Sequence, residues 1–378
     1  MDYRAELDAV REKIDAIDKQ MLSLFEQRMQ ISNQVADIKS KSNISLVDEK
    51  RETAIVERAV ADMPAQLKGE TTVFLRSLMG LSKSRQRKCL YGAQEELLMP
   101  KAAAAVTQDI QVAYQGVPGA WGEQAALQAF PNAQRSNMET FEDVFIAVKD
   151  KKVHYGVLPV ENSQSGAIGE VYDLLRKYGC YIVGQTWVPV HHCLMGVQGA
   201  QTEDVREVFS HPEGFKQCSK FLRGRAWDLT ACRNTAVAAE KVAKLAEKRY
   251  AAIGSPRAAQ LNGLQILAKD IVSDDSNKTR FIVIADAPQY TQESDTVSLI
   301  FRTAHRSGAL CDVLFAFMSE NINITRIESR PVADGKYCFF VDAEGNVEDP
   351  HMASALQQAS ACCGFLEVLG CYTTESKK

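Results

Sequence analysis

Arg28 stands where an apolar residue is due. Leu7, Val10, Ile14, Ile17, Met21, Leu24, Ile31, Val35 and Ile38 follow one another at alternating spacings of three and four. They form a heptad seam whose missing position is residue 28. A charge on such a seam is costly unless paired, so Arg28 requires a buried carboxylate or an anionic ligand, or else serves to set coiled-coil register. Lys39 lies three turns further on, on nearly the same face. Arg11 lies the other way, ~25 Å from Arg28 along the helix, too far to share one site with Lys39 within a single chain. Asp48, Arg51 and Glu52 then occupy positions i, i+3 and i+4 of a second helix, and Ser82 and Gln86 sit one turn apart on a third. Cations and carboxylates collected in a helical bundle around Arg28 suit the holding of a small anion.

Further along, the apolar run Val157-Leu158-Pro159-Val160 breaks into Glu161-Asn162-Ser163 and then Ser165-Gly166. Ile168, Val171, Leu174 and Leu175 follow at helical spacing. A strand end feeding a polar turn and a helix N-terminus is where open α/β sheets keep their ligands. Two other polar groups interrupt strand ends: Ser210-His211-Pro212 followed by Gln217, and Thr279-Arg280-Phe281. Gly116, Gly119 and Gly122 are spaced by three and three, which is not the dinucleotide fingerprint; the segment reads as a turn that lets the backbone approach an anion. The ten cysteines contain no Cys-x-x-Cys and the six histidines are dispersed, with His191-His192 unable to face one metal from a strand. Reduced thiols in a cytosol are therefore expected, and no metal.

The elements that must position these groups fall into three modules of a 378-residue chain that is 46% hydrophobic and 24% charged, with a formal charge of −4. Such a balance gives no general attraction to nucleic acid or anionic membrane. Met1 to Leu7 has no apolar core of a secretory leader, and no run approaches the ~20 apolar residues of a membrane span. Residues 1–91 read as three helices, with a capping box at Ser45-Leu46-Val47-Asp48 opening the second and Phe74, Leu78 and Leu81 as the core face of the third. A first helix ~60 Å long needs an equally long partner, most simply a second copy of itself. Residues 92–108 read as a linker. Residues 109–287 alternate strand and helix (strands 110–114, 154–158, 181–185, 207–210, 228–232, 250–253 and 280–285; helices 141–150, 167–178, 213–223 and 236–248). This is a βαβ region long enough for two lobes with a cleft between them. After a second linker, residues 295–374 read as βαββαβ, a ferredoxin-like unit with no catalytic constellation of its own.

Here the motifs carry a resemblance. Arg11-Glu12-Lys13-Ile14, Arg28, Lys39, Asp48-x-x-Arg51-Glu52 and Ser82-x-x-x-Gln86 resemble the all-helical chorismate mutases. The resemblance implies an intertwined dimer. Arg11, Arg28 and Arg51 would hold the two carboxylates of chorismate, Asp48 and Glu52 the ring hydroxyl side, and Lys39 and Gln86 the ether oxygen. Ser84 and Lys88 have the same spacing as Ser82 and Gln86, but Leu78-Met79-Gly80-Leu81-Ser82 aligns better with the family pattern. Glu161-Asn162-Ser163, Ser165-Gly166-Ala167-Ile168, Ser210-His211-Pro212, Gln217, Asn234-Thr235-Ala236 and Thr279-Arg280-Phe281 together resemble prephenate dehydratase, Thr-Arg-Phe being the most specific stretch. This implies a bilobed, periplasmic-binding-like fold, with Thr279 at the leaving hydroxyl, Glu161 or His211 as proton source and Arg280 as carboxylate clamp.

Gly308-Ala309-Leu310 and Ile322-Asn323-Ile324-Thr325-Arg326-Ile327-Glu328-Ser329-Arg330-Pro331 resemble the ACT regulatory domain attached to prephenate dehydratases. Gly308, Ala309, Leu310, Asn323, Glu328, Ser329, Arg330 and Pro331 are the residues expected at an L-phenylalanine site. The order of modules resembles the bifunctional chorismate mutase/prephenate dehydratases: a multidomain, cytoplasmic, homodimeric or tetrameric enzyme taking chorismate and prephenate and needing no cofactor. A non-catalytic bilobed sensing protein with an appended helical domain has no reason to carry Arg28, Lys39 and Glu52. A mutase fused to a prephenate dehydrogenase would need a dinucleotide fingerprint.

Overall fold

The computed structural model describes residues 3–42, 48–91, 98–332 and 336–374; Ser45 and residues 92–97 of the expected first linker lie outside these. The chain divides into two compact units, Met1–Leu98 with Arg302–Asn323 and Asp349–Leu366, and Met99–Phe301 with Ile324–Glu348 and Glu367–Lys378. No helix among the described residues is long and apolar enough to cross a membrane.

The first unit opens with α1 (Tyr3–Lys41), α2 (Glu49–Ala61) and α3 (Lys68–Tyr91). The 39 residues of α1 contain neither Gly nor Pro, and good helix formers dominate its exposed surface. Asp48 is the N-cap of α2, its carboxylate accepting the Arg51 N–H at 3.0 Å. The face of α1 that packs within the chain overlaps the seam only at Arg28 and the half-buried Val35. Ser32 and Ala36 are buried, with Phe25, Arg28 and Met29 half-buried beside them. The seam residues Leu7, Val10, Ile14, Ile17, Met21, Leu24, Ile31 and Ile38 are 44% to 64% exposed. Small side chains let α1 approach α3 closely, and the seam stays available to another helix. On α3, Met79, Ser82, Ser84 and Gln86 are buried, whereas Phe74, expected in the core, is 49% exposed.

The second unit holds the two sheets of the α/β region and most of the strands of a third. β1 (Gln111–Gln115), β2 (Gln134–Met138), β3 (Tyr155–Asn162), β4 (Gly166–Ala167) and β5 (Tyr181–Pro189) build the first, with α4 (Trp121–Ala129), α5 (Phe141–Lys149) and α6 (Gly169–Tyr178) between them. The chain then enters the second sheet through β6 (Cys193–Gly196) and β7 (Glu207–Ser210). It continues with α7 (Pro212–Gln217), α8 (Ser219–Leu222), β8 (Asp228–Ala231), α9 (Thr235–Leu245), β9 (Tyr250–Gly254), α10 (Pro256–Leu261) and β10 (Gln265–Ala268). β11 (Lys278–Ala285) returns to the first sheet, whose order is β2-β1-β3-β11-β5; the second is β10-β6-β9-β7-β8. Each sheet has its own apolar core, one around Val157, Phe281 and Val283, another around Met195, Ala239 and Ala252. The two crossing segments are tied together, Val190 N–H donating to the Asn277 carbonyl at 2.9 Å and Ile271 N–H to the His192 carbonyl at 3.0 Å.

β2 escapes sequence reading because Gln134-Arg135-Ser136-Asn137 is an exposed polar edge strand. The single helix expected over 213–223 is broken at Cys218 into α7 and α8. Residues 99–110 carry no helix or strand yet are held in place, Ala103 N–H on the Pro288 carbonyl and Val106 N–H on the Tyr155 hydroxyl.

The C-terminal elements run β12 (Thr296–Arg302), α11 (Ala309–Ser319), β13 (Ile324–Val332), β14 (Lys336–Glu344), α12 (Pro350–Cys362) and β15 (Phe365–Tyr372), with sheet order β13-β14-β12-β15. That sequence and strand order are those of the expected ferredoxin-like unit.

Candidate active sites

In the helical bundle, Arg28 Nη1 donates to the Leu78 carbonyl at 3.1 Å and to the Ser82 hydroxyl. Gln86 Nε2 donates to Ser32 Oγ at 2.8 Å, one turn along α1 from Arg28. Among the described residues no carboxylate lies within ion-pair distance of Arg28. Burial lowers its pKa from the ordinary guanidinium value, so the charge is held among neutral oxygens alone. Glu52 is paired with Lys83 at 2.9 Å, a residue that sequence reading passed over.

The structure thus gathers Arg28, Ser82 and Gln86 between α1 and α3, and Glu52 beside α3. Asp48 is occupied by the α2 cap. Arg51 is exposed, and Lys39 is half-buried near the end of α1. Arg11 is exposed and paired with Asp8, and ~25 Å of the α1 axis separates it from Arg28. Lys88, the alternative to Gln86, has no described side chain.

In the α/β region the second cluster sits where β3 and β11 meet the lobe crossings. Thr279 lies directly across from Asn162 and Arg280 across from Glu161, with a bulge just beyond that shifts Phe281 to Pro159. Asn162 Nδ2 donates to Thr279 Oγ1 at 2.9 Å and to Asn277 Oδ1 at 2.9 Å, while Asn162 Oδ1 accepts the N–H groups of Gln164 and Ser165. The buried Thr279 hydroxyl therefore receives one hydrogen bond and keeps its own proton to donate. Ser163 Oγ accepts the Lys278 N–H at 3.0 Å, closing the same corner. Phe281 is a core residue beside Val157 and Val283.

Gln217 and His192 form a third group. Gln217 Oε1 and His192 Nε2 are 2.9 Å apart, and the His192 ring meets Trp121 edge-on at 5.7 Å between centroids. Burial lowers the His192 pKa, so its imidazole is neutral at pH 7. Sequence reading considered His192 only as a metal ligand; its burial on a lobe crossing was not visible in the residue pattern.

Several expected roles do not fit this geometry. The Glu161 carboxylate is held by Arg326 Nε at 2.9 Å and projects to the sheet face opposite Thr279, because alternate strand residues point to opposite faces. His211 Nδ1 accepts the Glu213 N–H at 3.2 Å as the cap of α7, and Ser210 Oγ donates to the Ile253 carbonyl. Neither Glu161 nor His211 is therefore bonded to Thr279 as a proton source. Arg280 Nη1 is committed to Asp342 at 2.7 Å. Burial alone would lower its pKa, but the Asp342 carboxylate more than offsets this and leaves it raised. In the Gly116–Gly122 turn, Gly119 N–H donates to Glu123, its carbonyl accepts Ser255 Oγ at 2.7 Å, and a Cβ there would lie 2.9 Å from the Ala258 backbone. This turn joins the two lobes through Gly119, and no side chain caps the start of α4 just beyond it.

Of the residues expected at an effector site, Gly308 adopts φ +79° as the N-cap of α11, a left-handed conformation that suits glycine, and no side chain caps that helix end. Ala309 is buried, Leu310 is half-buried and Asn323 is exposed. β13 is an edge strand with alternating exposure: Ser329 and Pro331 are exposed, while Glu328 and Arg330 share the half-buried face with Arg326. Glu328 lies 3.9 Å from Arg326, and Arg330 reaches Asp173 at 3.4 Å beside Gly169, at the start of α6.

Family models match in the same order. Chorismate mutase type II covers residues 10–87, prephenate dehydratase 112–289 and the ACT domain 297–361. A bifunctional chorismate mutase/prephenate dehydratase of Enterobacter agglomerans is 32% identical over 97% of this chain and 96% of its own length. The chloroplastic arogenate dehydratase/prephenate dehydratase 1 of Arabidopsis thaliana is 37% identical over 70% of this chain and 72% of its own. The crystal structure of a prephenate dehydratase from Arthrobacter aurescens in complex with L-Phe superposes with a TM-score of 0.66 at 26% identity, over 71% of this chain and 92% of that one. With all three modules matched and a relative aligned along nearly the full length of both chains, this protein belongs to the family of bifunctional chorismate mutase/prephenate dehydratases.

Proposed function

We propose that this chain converts chorismate to prephenate in the helical module and prephenate to phenylpyruvate in the bilobed module, and that L-phenylalanine inhibits it through residues 295–374. The observation that carries this reading is the presence in one chain of two separate polar centres. One is Arg28 among neutral oxygens, the other the hydrogen-bonded Asn162–Thr279 pair at the lobe crossings.

The first reaction is a unimolecular rearrangement that needs no proton transfer. Holding a compact conformer by its carboxylates and stabilising charge on the breaking ether are sufficient. Arg28 and Arg51, with Arg11 from the partner chain, clamp the carboxylates; Lys39 and Gln86 face the ether oxygen, and Asp48 and Glu52 the ring hydroxyl. The exposed α1 seam supports a homodimer. In the second reaction carbon dioxide and the ring hydroxyl depart as the ring becomes aromatic. The Thr279 hydroxyl, oriented by Asn162, donates a hydrogen bond to the departing oxygen, which leaves with the bond electrons as hydroxide and is protonated by solvent, and Gln217 holds another edge of the substrate. The site must avoid extra stabilisation of the carboxylate that is lost, since only contacts stronger in the transition state accelerate the step. Modules 1–91, 109–287 and 295–374 act in a cytoplasmic enzyme, in keeping with its scattered reduced cysteines.

The test is to supply chorismate and prephenate separately to wild-type and Arg28→Ala protein. The variant is expected to lose ~2–5 kcal/mol of transition-state stabilisation on chorismate, as truncated charge pairs do. Its turnover of prephenate should be unchanged. Equal loss of both reactions would refute two independent centres.

A further inference from the structure

We infer that the regulatory sheet supplies two positioning residues, Asp342 and Arg326, to the dehydratase centre. The inference rests on the reading of Asn162 and Thr279 given above. Thr279 and Asn162 are a cross-strand pair, and the next pair along the same two strands is Arg280 and Glu161. Consecutive pairs project to opposite faces of a sheet. One pair therefore faces the substrate side while its immediate neighbours face the other way, into β13 and β14.

There Arg280 meets Asp342 at 2.7 Å and Glu161 meets Arg326 at 2.9 Å. Asp342 and Arg326 are themselves a cross-strand pair of β13 and β14. Two cross-strand pairs of crossed charge thus dock as a quartet whose own four charges cancel. Arg280 and Asp342 are each 8% exposed. Asp342 Oδ1 also accepts Ser298 Oγ at 2.5 Å, and Ser298 Oγ shares a hydrogen bond with the buried Tyr372 hydroxyl at 2.8 Å. Arg326 is bonded to the Tyr172 hydroxyl and stacks 5.2 Å above that ring, with Glu328 at 3.9 Å. A register shift sits beside the quartet on both sides, between Arg280 and Phe281 in the β3/β11 ladder and between Ile324 and Arg326 in the β13/β14 ladder. Such shifts re-aim side chains, and buried charges tolerate little displacement once paired. The quartet therefore fixes the β3/β11 register one residue from the Asn162–Thr279 hydrogen bond. Asp342 and Arg326 act through Arg280 and Glu161 without touching substrate.

The test uses the full chain with Asp342→Asn, Arg326→Gln and Arg326→Lys, each assayed on prephenate and on chorismate. Displacement of Thr279 is expected to lower kcat on prephenate at least tenfold in Asp342→Asn and Arg326→Gln, with KM within threefold of wild type. Arg326→Lys should recover most of kcat, and turnover of chorismate should be unaltered in all three. Should Asp342→Asn fail to fold, Arg326→Gln on the edge strand decides alone. A folded Arg326→Gln or Asp342→Asn with kcat within twofold of wild type would overturn the inference, as would a loss confined to KM or to melting temperature. A wild-type chain inactive on prephenate overturns the assignment of the centre itself, and is distinguished because no variant is needed to see it.

Discussion

At the scale of single residues, the hydroxyl of Thr279 carries the most specific claim. Thr279→Ser keeps the hydroxyl beside Asn162 and is expected to retain measurable dehydration. Thr279→Val keeps the shape and is expected to lose most of it, ~100-fold or more, the usual range for loss of one hydrogen-bond donor to developing negative charge. Prephenate turnover of the two variants, with chorismate turnover as the internal control, checks this; comparable rates would remove Thr279 from the chemistry. His192 gives a pH signature. Burial depresses its pKa in the folded chain, so between that value and the unfolded value of about 6.5 the unfolded state binds the extra proton. The stability it contributes is complete above pH ~6.5 and is lost as pH falls below that. Melting temperature followed from pH 7 to 5 should drop less steeply in His192→Gln than in wild type; parallel curves would show that His192 titrates normally. The short motifs around Asn162 and Thr279 were legible because polar residues at strand ends stand out from the apolar runs before them. The partner of Arg280 was not: Asp342 is 62 residues away on another sheet, and a lone arginine after a threonine reads equally well as a ligand clamp.

Elements show the same division. The α1 seam was legible from spacing alone, and its exposure leaves it open to the proposed pairing with a second copy. The face that packs within the chain was not, because Ser32 and Ala36 carry no hydrophobic signal and bury through small size. Replacing Ile14 and Ile17 together with glutamate should dissociate the dimer, seen by light scattering, and abolish chorismate turnover while prephenate turnover persists. An intact dimer in that variant would place the interface elsewhere. Mixing Arg11→Ala chains with Lys39→Ala chains should restore part of the lost mutase activity, since some mixed dimers keep one complete site. No recovery in verified mixed dimers would mean that Arg11 does not cross over. Strand β2 and the broken α7/α8 pair were illegible for local reasons, a polar edge strand with no alternation and a buried Cys218 at the break.

For the whole molecule, module order was readable because each module has its own periodicity: heptads, then βαβ alternation, then a short βαββαβ unit. What sequence could not supply was that the third module is wired to the second through one buried and one half-buried ion pair. A chain ending at residue 294 is thus expected to lose its response to L-phenylalanine and also most dehydratase turnover. Stripping Asp342 from buried Arg280 costs about 3–5 kcal/mol in comparable pairs. Full dehydratase activity in that truncated chain would show the modules to be independent. The central claim, one chain catalysing two consecutive reactions, is tested most directly by giving pure full-length protein chorismate alone and following products with time. The expected result is prephenate appearing first and phenylpyruvate accumulating after a lag, until it accounts for the chorismate consumed. Chorismate left unchanged, or prephenate accumulating with no phenylpyruvate, would contradict it.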